Sequence, residues 1–330
     1  MDLRGKSVLV TGSEGFIGSH LVEKLIERGA EVKALVQYNS FNRWGWIDTL
    51  PDSIKQEIEI FLGDVREYDN IKKAVKGQEI VFHLAALIAI PYSYLSPAAY
   101  IRTNVEGTLN VMQACLDFGV SKVIHTSTSE VYGTAMYVPM DENHPLQAQS
   151  PYAASKIGAD KIVESLNLSL GLPVTTIRPF NAYGPRQSAR AVIPTIISQI
   201  LSGMERIKLG SLFPLRDFTY VKDTAEGFVK AAESERSSGQ TINLGNSSEV
   251  SIGQLAQKIM GIMNRDIVVE TDEDRIRPQK SEVERLMCDN KKAAEVLGWR
   301  PQYDIDAGLK ETIQWMESNF HHYKSDIYNL

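Results

Sequence analysis

The chain has 330 residues, of which 43% are hydrophobic and 23% are charged, as is usual for a globular protein large enough to build its own core. Its net charge of −6 argues against nucleic acid or an anionic membrane as a general partner. The two cysteines, Cys115 and Cys288, form no disulfide framework, and no apolar run reaches the ~20 residues that span a bilayer, so we expect a cytoplasmic location.

The first half of the chain alternates strand and helix signals. Short apolar runs rich in β-branched residues predict strands at 6–12, 31–37, 58–64, 79–86, 121–127 and 173–179. Apolar residues at helical spacing predict a helix over 16–29. Buried strands that alternate with helices predict an α/β fold with a doubly wound parallel sheet of the Rossmann type.

The sequence pattern changes after residue 180, where the predicted elements are shorter and are separated by loops that contain Pro, Gly and Arg. We therefore predict two units. Residues 1–180, with roughly 222–248, form the Rossmann domain. Residues 181–221 and 249–330 form a smaller mixed α/β lobe.

The segment TGSEGFIG, residues 11–18, lies directly between the first strand and the first helix. Phe16 and Ile17 begin the helix, whose N-terminus offers free N–H groups to a diphosphate. Three glycines at G-x-x-G-x-x-G spacing allow a tight turn and close approach to the backbone: Gly12, Gly15 and Gly18. The pattern predicts a dinucleotide site rather than an ordinary strand-to-helix turn, because strand, helix and next strand are in register.

The end of the second strand bears on the choice of cofactor. An Asp or Glu there holds the ribose hydroxyls of NAD, yet the sequence supplies no carboxylate before Asp48. Without that negative charge a 2′-phosphate is no longer repelled, and polar side chains could bind it. These side chains are Gln37, Asn39, Ser40 and Arg43. The sequence therefore favours NADP over NAD.

Tyr152 and Lys156 lie one helical turn apart in the segment SPYAASKIGADK, so they project from one face of a helix. A phenol has a pKa of about 10, but a neighbouring ammonium and a nicotinamide cation both favour the phenolate. Tyr152 is therefore a candidate base for removing a hydroxyl proton. Alone, this pair is common by chance; after a dinucleotide turn and a strand end rich in Ser and Thr it indicates catalysis.

Several motifs occur in order along the chain: TGSEGFIG, HLAA (83–86), TNVEGT (103–108), TSTSEVYG (126–133), YAASK (152–156), RPFNAYGP (178–185) and RDFTYV (216–221). With this set the chain resembles an extended short-chain dehydrogenase/reductase acting on nucleotide sugars. The resemblance implies a tightly bound NADP or NAD that is recycled, a C-terminal lobe for the sugar nucleotide, and a homodimer formed through two helices. It implies no metal site.

The resemblance also implies cofactor contacts outside the glycine turn. Asp64, after the third strand, is placed to touch the adenine, although it could equally cap its own loop. The other implied contacts are Val65, Leu84, Ala85, Ala86 and Asn104, with Tyr152 and Lys156 at the nicotinamide end.

A carboxylate at the end of the fifth strand points to the reaction. The stretch Thr128-Ser129-Glu130 resembles the Thr-Asp-Glu or Thr-Ser-Glu of 4,6-dehydratases, whereas 4-epimerases usually have small residues there. GDP-mannose-type 4,6-dehydratases and UDP-glucuronate decarboxylases share the Thr-Ser-Glu form, so this stretch alone does not separate these two classes. In such dehydratases, oxidation at C4 acidifies the C5 proton, a carboxylate removes it, water leaves from C6 and hydride returns to C6. Glu130 would take the carboxylate's role, Thr128 would bond the 4-oxygen, and Ser129 stands where many dehydratases have an Asp.

The resemblance places the substrate's diphosphate, sugar and base against residues of the second half: Asn181, Arg190, Val192, Lys208, Arg216 and Arg277. The forked donors of arginine suit diphosphate oxygens, and Arg216 and Arg277 are the best candidates. Arg275 is expected to be a solvated surface arginine. Arg186 could be either a surface arginine or a ligand.

The finer resemblance is carried by residues 126–133, 142–156 and 178–200. It is to the configuration-retaining UDP-N-acetylglucosamine 4,6-dehydratases of bacterial nonulosonic acid synthesis, of the pseudaminic and legionaminic types. A GDP-linked sugar fits as well. The alternatives are a UDP-sugar 4-epimerase or a UDP-glucuronate decarboxylase on the same scaffold, and a non-catalytic dinucleotide sensor.

Overall fold

The computed structural model of the chain describes residues 1–324. Its centre is a parallel sheet with the strand order β3-β2-β1-β4-β5-β6-β11. The strands are β1 (Ser7–Thr11), β2 (Glu31–Val36), β3 (Ile58–Leu62), β4 (Ile80–His83), β5 (Lys122–Thr126), β6 (Val174–Pro179) and β11 (Thr241–Leu244). The order reverses between β1 and β4, and ligands of such sheets bind beyond the strand ends at that point. The predicted Rossmann-type sheet is confirmed.

Helices cover both faces of this sheet: α1 (Phe16–Glu27), α2 (Asp52–Lys55), α3 (Tyr68–Val75), α6 (Gly107–Asp117), α7 (Pro151–Leu170) and α9 (Val221–Glu233). The short helices α4 (Ile90–Leu95) and α5 (Pro97–Tyr100) pack against α7. One face buries a cluster that includes Val10, Leu25 and Phe228. The other buries a cluster that includes Val81, Met112 and Val163. Apolar strands are thus covered on both sides, as parallel sheets require.

The smaller lobe contains β7 (Asn181–Tyr183), α8 (Val192–Leu201), β8 (Arg206–Leu209), β9 (Leu215–Arg216), β10 (Phe218–Tyr220), β12 (Val250–Ser251), α10 (Ile252–Ile262), β13 (Val268–Thr271) and α12 (Ile305–Ser318). Helix α11 (Lys291–Leu297) lies between β13 and α12 in the chain. The strands pair two by two, β7 with β10, β8 with β13 and β9 with β12. Their helices share a separate core around Ile196, Leu255 and Leu309.

Helix α11 departs from the predicted division of the chain. The boundary at residue 249 assigned it to the smaller lobe, but Ala293, Leu297 and Trp299 are buried in the core of the Rossmann domain. The Trp299 indole N–H donates to the Asp223 carbonyl at 2.9 Å, which fixes the segment against α9. Burial of this apolar face, and not its position in the chain, decides where the segment packs.

Across residues 1–324, none of the helices combines the length and the apolar character needed to cross a membrane.

Candidate active site

The glycine turn is shaped for a ligand that lies against the backbone. Gly12 has φ +68°, and a Cβ there would lie 2.7 Å from the Ala85 nitrogen. A Cβ on Gly18 would lie 2.1 Å from the Gly12 carbonyl oxygen, so the turn closes only without side chains. Gly15 caps α1 and no side chain caps its first N–H groups. These groups begin at Phe16 and Ile17, and they fit the diphosphate of a dinucleotide.

The loop after β4 is fixed beside this turn. The N–H groups of Leu84 and Ala85 both donate to the Thr11 hydroxyl at 3.1 Å, which holds the loop against β1. Asn104 bonds the next part of the loop: its Oδ1 accepts from the Leu87 N–H at 2.8 Å, and its Nδ2 donates to the Leu87 carbonyl and to the Ser155 hydroxyl, each at 2.9 Å. Asn104 thereby positions the loop and α7, and its predicted contact with the cofactor stays a prediction.

The end of β2 differs from the prediction. The N–H of Gln37 donates to a carboxylate at 3.0 Å, and this carboxylate belongs to Glu14 of the glycine turn. Asn39 folds onto its own loop, donating to the Arg43 carbonyl at 2.7 Å, while Ser40 and Arg43 are exposed. The premise of the NADP preference, that no carboxylate lies at this strand end, is therefore wrong. The acid comes from another part of the chain.

Asp64 caps its own loop. It accepts from the Arg66 N–H at 2.9 Å and from the Arg66 guanidinium, whose hydrogen bonds hold the pKa of Asp64 below its ordinary value. Val65 is buried against Gly107, and its carbonyl accepts from the Asn110 amide at 3.0 Å. A cap of its own loop was one of the two roles that the sequence allowed for Asp64, the other being a contact with the adenine.

Helix α7 carries Tyr152 and Lys156 into the interior beside the end of β5. It begins at Ser150, whose hydroxyl accepts from the Ala153 N–H at 3.1 Å, so the first turn is fixed. Lys156 donates from Nζ to the Thr126 carbonyl at 2.6 Å, and burial lowers its pKa to about 8. Burial also raises the pKa of Tyr152, while a hydrogen bond with Thr128 opposes that rise.

Glu130 lies at the mouth of the same strand. It belongs to a one-turn 3₁₀-helix, Ser129–Tyr132, whose cap is Thr128: the Thr128 hydroxyl accepts from the Glu130 N–H at 3.2 Å. Among residues 1–324 its carboxylate has no hydrogen bond or ion pair. It does lie near enough to raise the pKa of Tyr152 and to favour the charged form of Arg216. Glu130 therefore neither caps a helix with its side chain nor pairs at the surface. Ser129 is buried beside it.

Two arginines of the smaller lobe complete the cleft. Arg216 donates from Nη2 to the Glu282 carboxylate at 2.9 Å, and the Arg277 guanidinium lies 3.7 Å from the same oxygen. Burial lowers the pKa of Arg216, whereas Glu130 and Glu282 oppose this. The Nη1 atom of Arg277 is buried without a hydrogen bond. The forked donors of two arginines therefore lie together at this place, and such donors suit the oxygens of a diphosphate.

The other predicted substrate residues are less closely grouped. Asn181 presents a buried Oδ1 without a hydrogen-bond partner, as expected of a group that awaits a ligand or water. Arg190 is exposed but close enough to Tyr100 to oppose the rise in its pKa that burial causes. Val192 is half-buried at the start of α8, and Lys208 is exposed on β8.

Arg186 and Arg275 serve the fold. Arg186 is buried against α1, where it donates to Glu23 at 2.6 Å and to Ser19 at 3.2 Å, so it is not a solvated surface arginine. Arg275 is half-buried and pairs with Asp272 at 3.0 Å, contrary to the expected solvated position.

Sequence reasoning missed Asp160, which lies one further turn along α7 from Lys156. Its buried carboxylate accepts from Ser127 at 2.7 Å and from the Arg178 Nη2 at 2.9 Å, and it lies 3.2 Å from the His125 Nε2. Burial alone would raise its pKa, but the hydrogen bond with His125 and the charge of Arg178 hold the pKa at about 2. The i+4 spacing after Lys156 was the available signal. Asp160 ties α7 to β5 and β6.

Comparison with known proteins places this site in a family. A family model described as GDP-mannose 4,6 dehydratase matches residues 9–312. A UDP-N-acetyl-alpha-D-glucosaminuronate decarboxylase from Bacillus cytotoxicus is 33% identical over 320 residues, which are 94% of this chain and 97% of that protein.

Solved structures of other proteins share this fold over most of the chain. A UDP-N-acetylglucosamine 4-epimerase from Methanobrevibacter ruminantium, in complex with UDP-N-acetylmuramic acid, has a TM-score of 0.86 and 32% identity, covering 96% of this chain and 99% of that one. A dTDP-glucose 4,6-dehydratase double mutant from Streptomyces venezuelae, with NAD bound, has a TM-score of 0.87 and 28% identity, covering 96% and 98%.

Proposed function

The chain belongs to the GDP-mannose 4,6-dehydratase family, and from this premise we propose that it is a nucleotide-sugar 4,6-dehydratase dependent on a nicotinamide dinucleotide. We further propose UDP-N-acetylglucosamine as the substrate and the 4-keto-6-deoxy sugar nucleotide as the product. One observation carries the choice of dehydration: the Glu130 carboxylate has no hydrogen bond or ion pair among residues 1–324 and lies at the end of β5, near enough to Tyr152 and Arg216 to act on their charges.

Each side chain of the site has a distinct task in this proposal. Tyr152 removes the proton of the 4-hydroxyl, and Thr128 bonds the 4-oxygen. Glu130 removes the C5 proton, which a ketone at C4 acidifies, and then protonates the departing 6-hydroxyl. When bound, the nicotinamide ring supplies the oxidation at C4 and the reduction at C6. Burial raises the pKa of Tyr152, so its deprotonation needs positive charge nearby, and Lys156 carries one on the same helix face.

The proposed substrate rests on the cleft beside Tyr152. Arg216 and Arg277 bind the diphosphate, and Asn181 reaches the diphosphate or the sugar. The segment around α4 packs Leu87 and Ile90 against Tyr100 and Tyr152, so an apolar wall is available for an acetamido group. A UDP-linked substrate is supported by the epimerase from Methanobrevibacter, whose structure holds a UDP-sugar. A GDP-linked N-acetylglucosamine is the alternative.

A UDP-sugar 4-epimerase is the second candidate function, and Ser129 favours it. Many dehydratases have an Asp at that position to protonate the departing hydroxyl, whereas here a buried serine follows Thr128. Epimerisation needs oxidation and reduction at C4 alone, so Thr128, Tyr152 and Lys156 suffice and Glu130 has no task. A UDP-glucuronate decarboxylase would use the same oxidation at C4 to release carbon dioxide.

The mass of the product separates these reactions. We would incubate the protein with UDP-N-acetylglucosamine, its GDP-linked counterpart and UDP-glucuronate, and follow each by mass spectrometry and proton NMR. Loss of one water without net consumption of cofactor supports dehydration. An unchanged mass with altered stereochemistry indicates epimerisation, and release of carbon dioxide indicates decarboxylation. Retention of a dinucleotide with no turnover of any sugar nucleotide indicates a sensor.

Replacing Glu130 tests its role directly. Glu130→Gln should still oxidise C4 but lose dehydration by roughly 100- to 10,000-fold, because the general base is gone. Reduced cofactor should therefore accumulate and be visible by its absorbance. Glu282→Gln is a matched control, since this acid contacts Arg216 and Arg277 and should change mainly substrate affinity. Wild-type water loss by Glu130→Gln would remove this acid from the mechanism.

We propose that the protein forms a homodimer. Ile101 and Leu109 are exposed on the segment that leads into α6 and on α6 itself, and Leu168 and Leu170 are exposed on α7, which supports a homodimer formed through these helices. Light scattering of the purified protein at several concentrations tests the homodimer.

Synthesis of a bacterial nonulosonic acid is the proposed pathway. A reducing cytoplasmic location is consistent with the two free, buried thiols, Cys115 and Cys288.

A further inference from the structure

Glu14 occupies an unusual place in the glycine turn. It stands between Gly12 and Gly15, yet its side chain crosses to the neighbouring strand, where Oε1 accepts from the Gln37 N–H at 3.0 Å. In proteins that bind NAD in this fold, the end of β2 supplies the acid that bonds the ribose hydroxyls. The Glu14 carboxylate thus lies where that acid is needed, although it arrives from another element.

The second carboxylate oxygen of Glu14 lacks a hydrogen-bond donor among the described residues. Oε2 is buried and has no hydrogen-bond partner, and no ion pair to Glu14 occurs among residues 1–324. A buried acceptor without a donor is costly unless a ligand or water supplies one. Burial raises the pKa of Glu14, whereas the hydrogen bond from Gln37 favours the ionised form. A hydroxyl donor at Oε2 would favour ionisation further.

The loop after β2 holds Glu14 in this position. The Trp46 N–H donates to the Glu14 carbonyl at 3.0 Å. Gly45 has φ +57°, and a Cβ there would lie 2.7 Å from the same oxygen, so the loop can close on Glu14 only with a glycine. The acid is therefore fixed between the glycine turn and this loop before any ligand binds.

Other polar residues near this strand end already have hydrogen-bond partners. Asp48, the first acid after β2, accepts from the Trp44 N–H at 3.0 Å. Asn39 uses both ends of its amide within its own loop, with the Phe41 N–H at 3.1 Å and the Arg43 carbonyl at 2.7 Å. Asp64 is paired with Arg66. Glu14 is thus the acid at this strand end with an oxygen left for a ligand.

We propose that Glu14 selects NAD over NADP, by accepting a hydrogen bond from the adenosine ribose at Oε2 and repelling a 2′-phosphate at the same place. A carboxylate and a phosphate at hydrogen-bond distance repel strongly in a partly buried site, whereas a hydroxyl there forms a charge-assisted hydrogen bond. The inference rests on the dinucleotide-binding part of the proposed function and is independent of the reaction.

The test measures the bound nucleotide and needs no turnover. Purified full-length protein is exchanged against an equimolar mixture of NAD and NADP without sugar nucleotide, and the retained nucleotide is released by denaturation and quantified by chromatography. The wild type should retain NAD over NADP by about tenfold or more. Glu14→Gln keeps an acceptor for Gln37 but removes the charge, so the ratio should fall by about tenfold.

Two further variants keep the result interpretable. Asp48→Asn removes a nearby charge that is engaged with Trp44, and it should leave the ratio unchanged. Glu14→Asp keeps the charge and should retain the preference for NAD, even if Glu14→Gln does not fold. The inference is overturned if the wild type retains NAD and NADP equally. It is also overturned if Glu14→Gln retains the two nucleotides in the same ratio as the wild type. A failed search for dehydration does not affect it, whereas retention of neither nucleotide contradicts both proposals.

Discussion

Replacing Asp160 by asparagine tests whether the helix that carries Tyr152 and Lys156 is held by a buried charge. The Asp160 carboxylate accepts from Ser127 and from Arg178, which lies 2.9 Å away and is buried itself. Asparagine has nearly the same shape and keeps an oxygen that can accept from Arg178, but it removes the negative charge and leaves the buried guanidinium without its counter-ion. We expect the substitution to destabilise the fold, since an uncompensated buried charge is costly.

The magnitude follows from two considerations. Breaking a buried ion pair from one side costs about 3–5 kcal/mol. Independently, the fall of the Asp160 pKa from 3.8 to about 2 on folding corresponds to about 2–3 kcal/mol of stability at neutral pH. The first figure is larger because it includes the unpaired Arg178. Urea unfolding of the protein with saturating cofactor, at pH 7, should therefore show a loss of about 3 kcal/mol or more.

The contribution of Asp160 to the stability of the fold decreases at low pH. The folded pKa of Asp160 is lowered, so its contribution is fully present above about pH 4 and is lost as the pH falls towards 2. The difference between wild type and Asp160→Asn should hence be constant near neutrality and shrink below about pH 4.

Glu164→Gln is the matched control for Asp160→Asn. Glu164 lies one turn further along α7 and pairs with Lys161 at the surface, so its loss should cost less than about 1 kcal/mol. If Asp160→Asn costs no more than this control, the buried charge does not hold the helix.

Two further substitutions test the chemistry and the substrate cleft. Tyr152→Phe should slow the first oxidation by roughly 100- to 10,000-fold in single-turnover absorbance measurements, because the base for the 4-hydroxyl is gone. Tyr100→Phe, which alters the neighbouring ring, serves as its control, and a wild-type rate in Tyr152→Phe would reject the assignment. Arg277→Ala should weaken UDP binding by roughly tenfold or more in calorimetry, through loss of a charged donor to the diphosphate. Arg236→Ala, on the far edge of the Rossmann domain, should leave the affinity unchanged; equal affinities in both variants would place the diphosphate elsewhere.

Features that reside in one short segment were predictable from the sequence alone. The glycine turn, the alternation of strands and helices and the pair Tyr152–Lys156 each follow from local spacing, because backbone conformation and the helical repeat act over a few residues. The parallel sheet follows from buried strands separated by helices. These features determined the fold and placed Tyr152 and Lys156 on one face.

Contacts between distant segments were decided only by the tertiary structure. The strand-end acid comes from Glu14, across 23 residues, so a search along β2 could not find it. The partners of Asp160 lie on β5 and β6, Glu282 holds Arg216 across 66 residues, and α11 packs on the Rossmann core. Spacing in the chain sets which side chains share an element, but burial, charge and the pairing of polar groups set which elements meet.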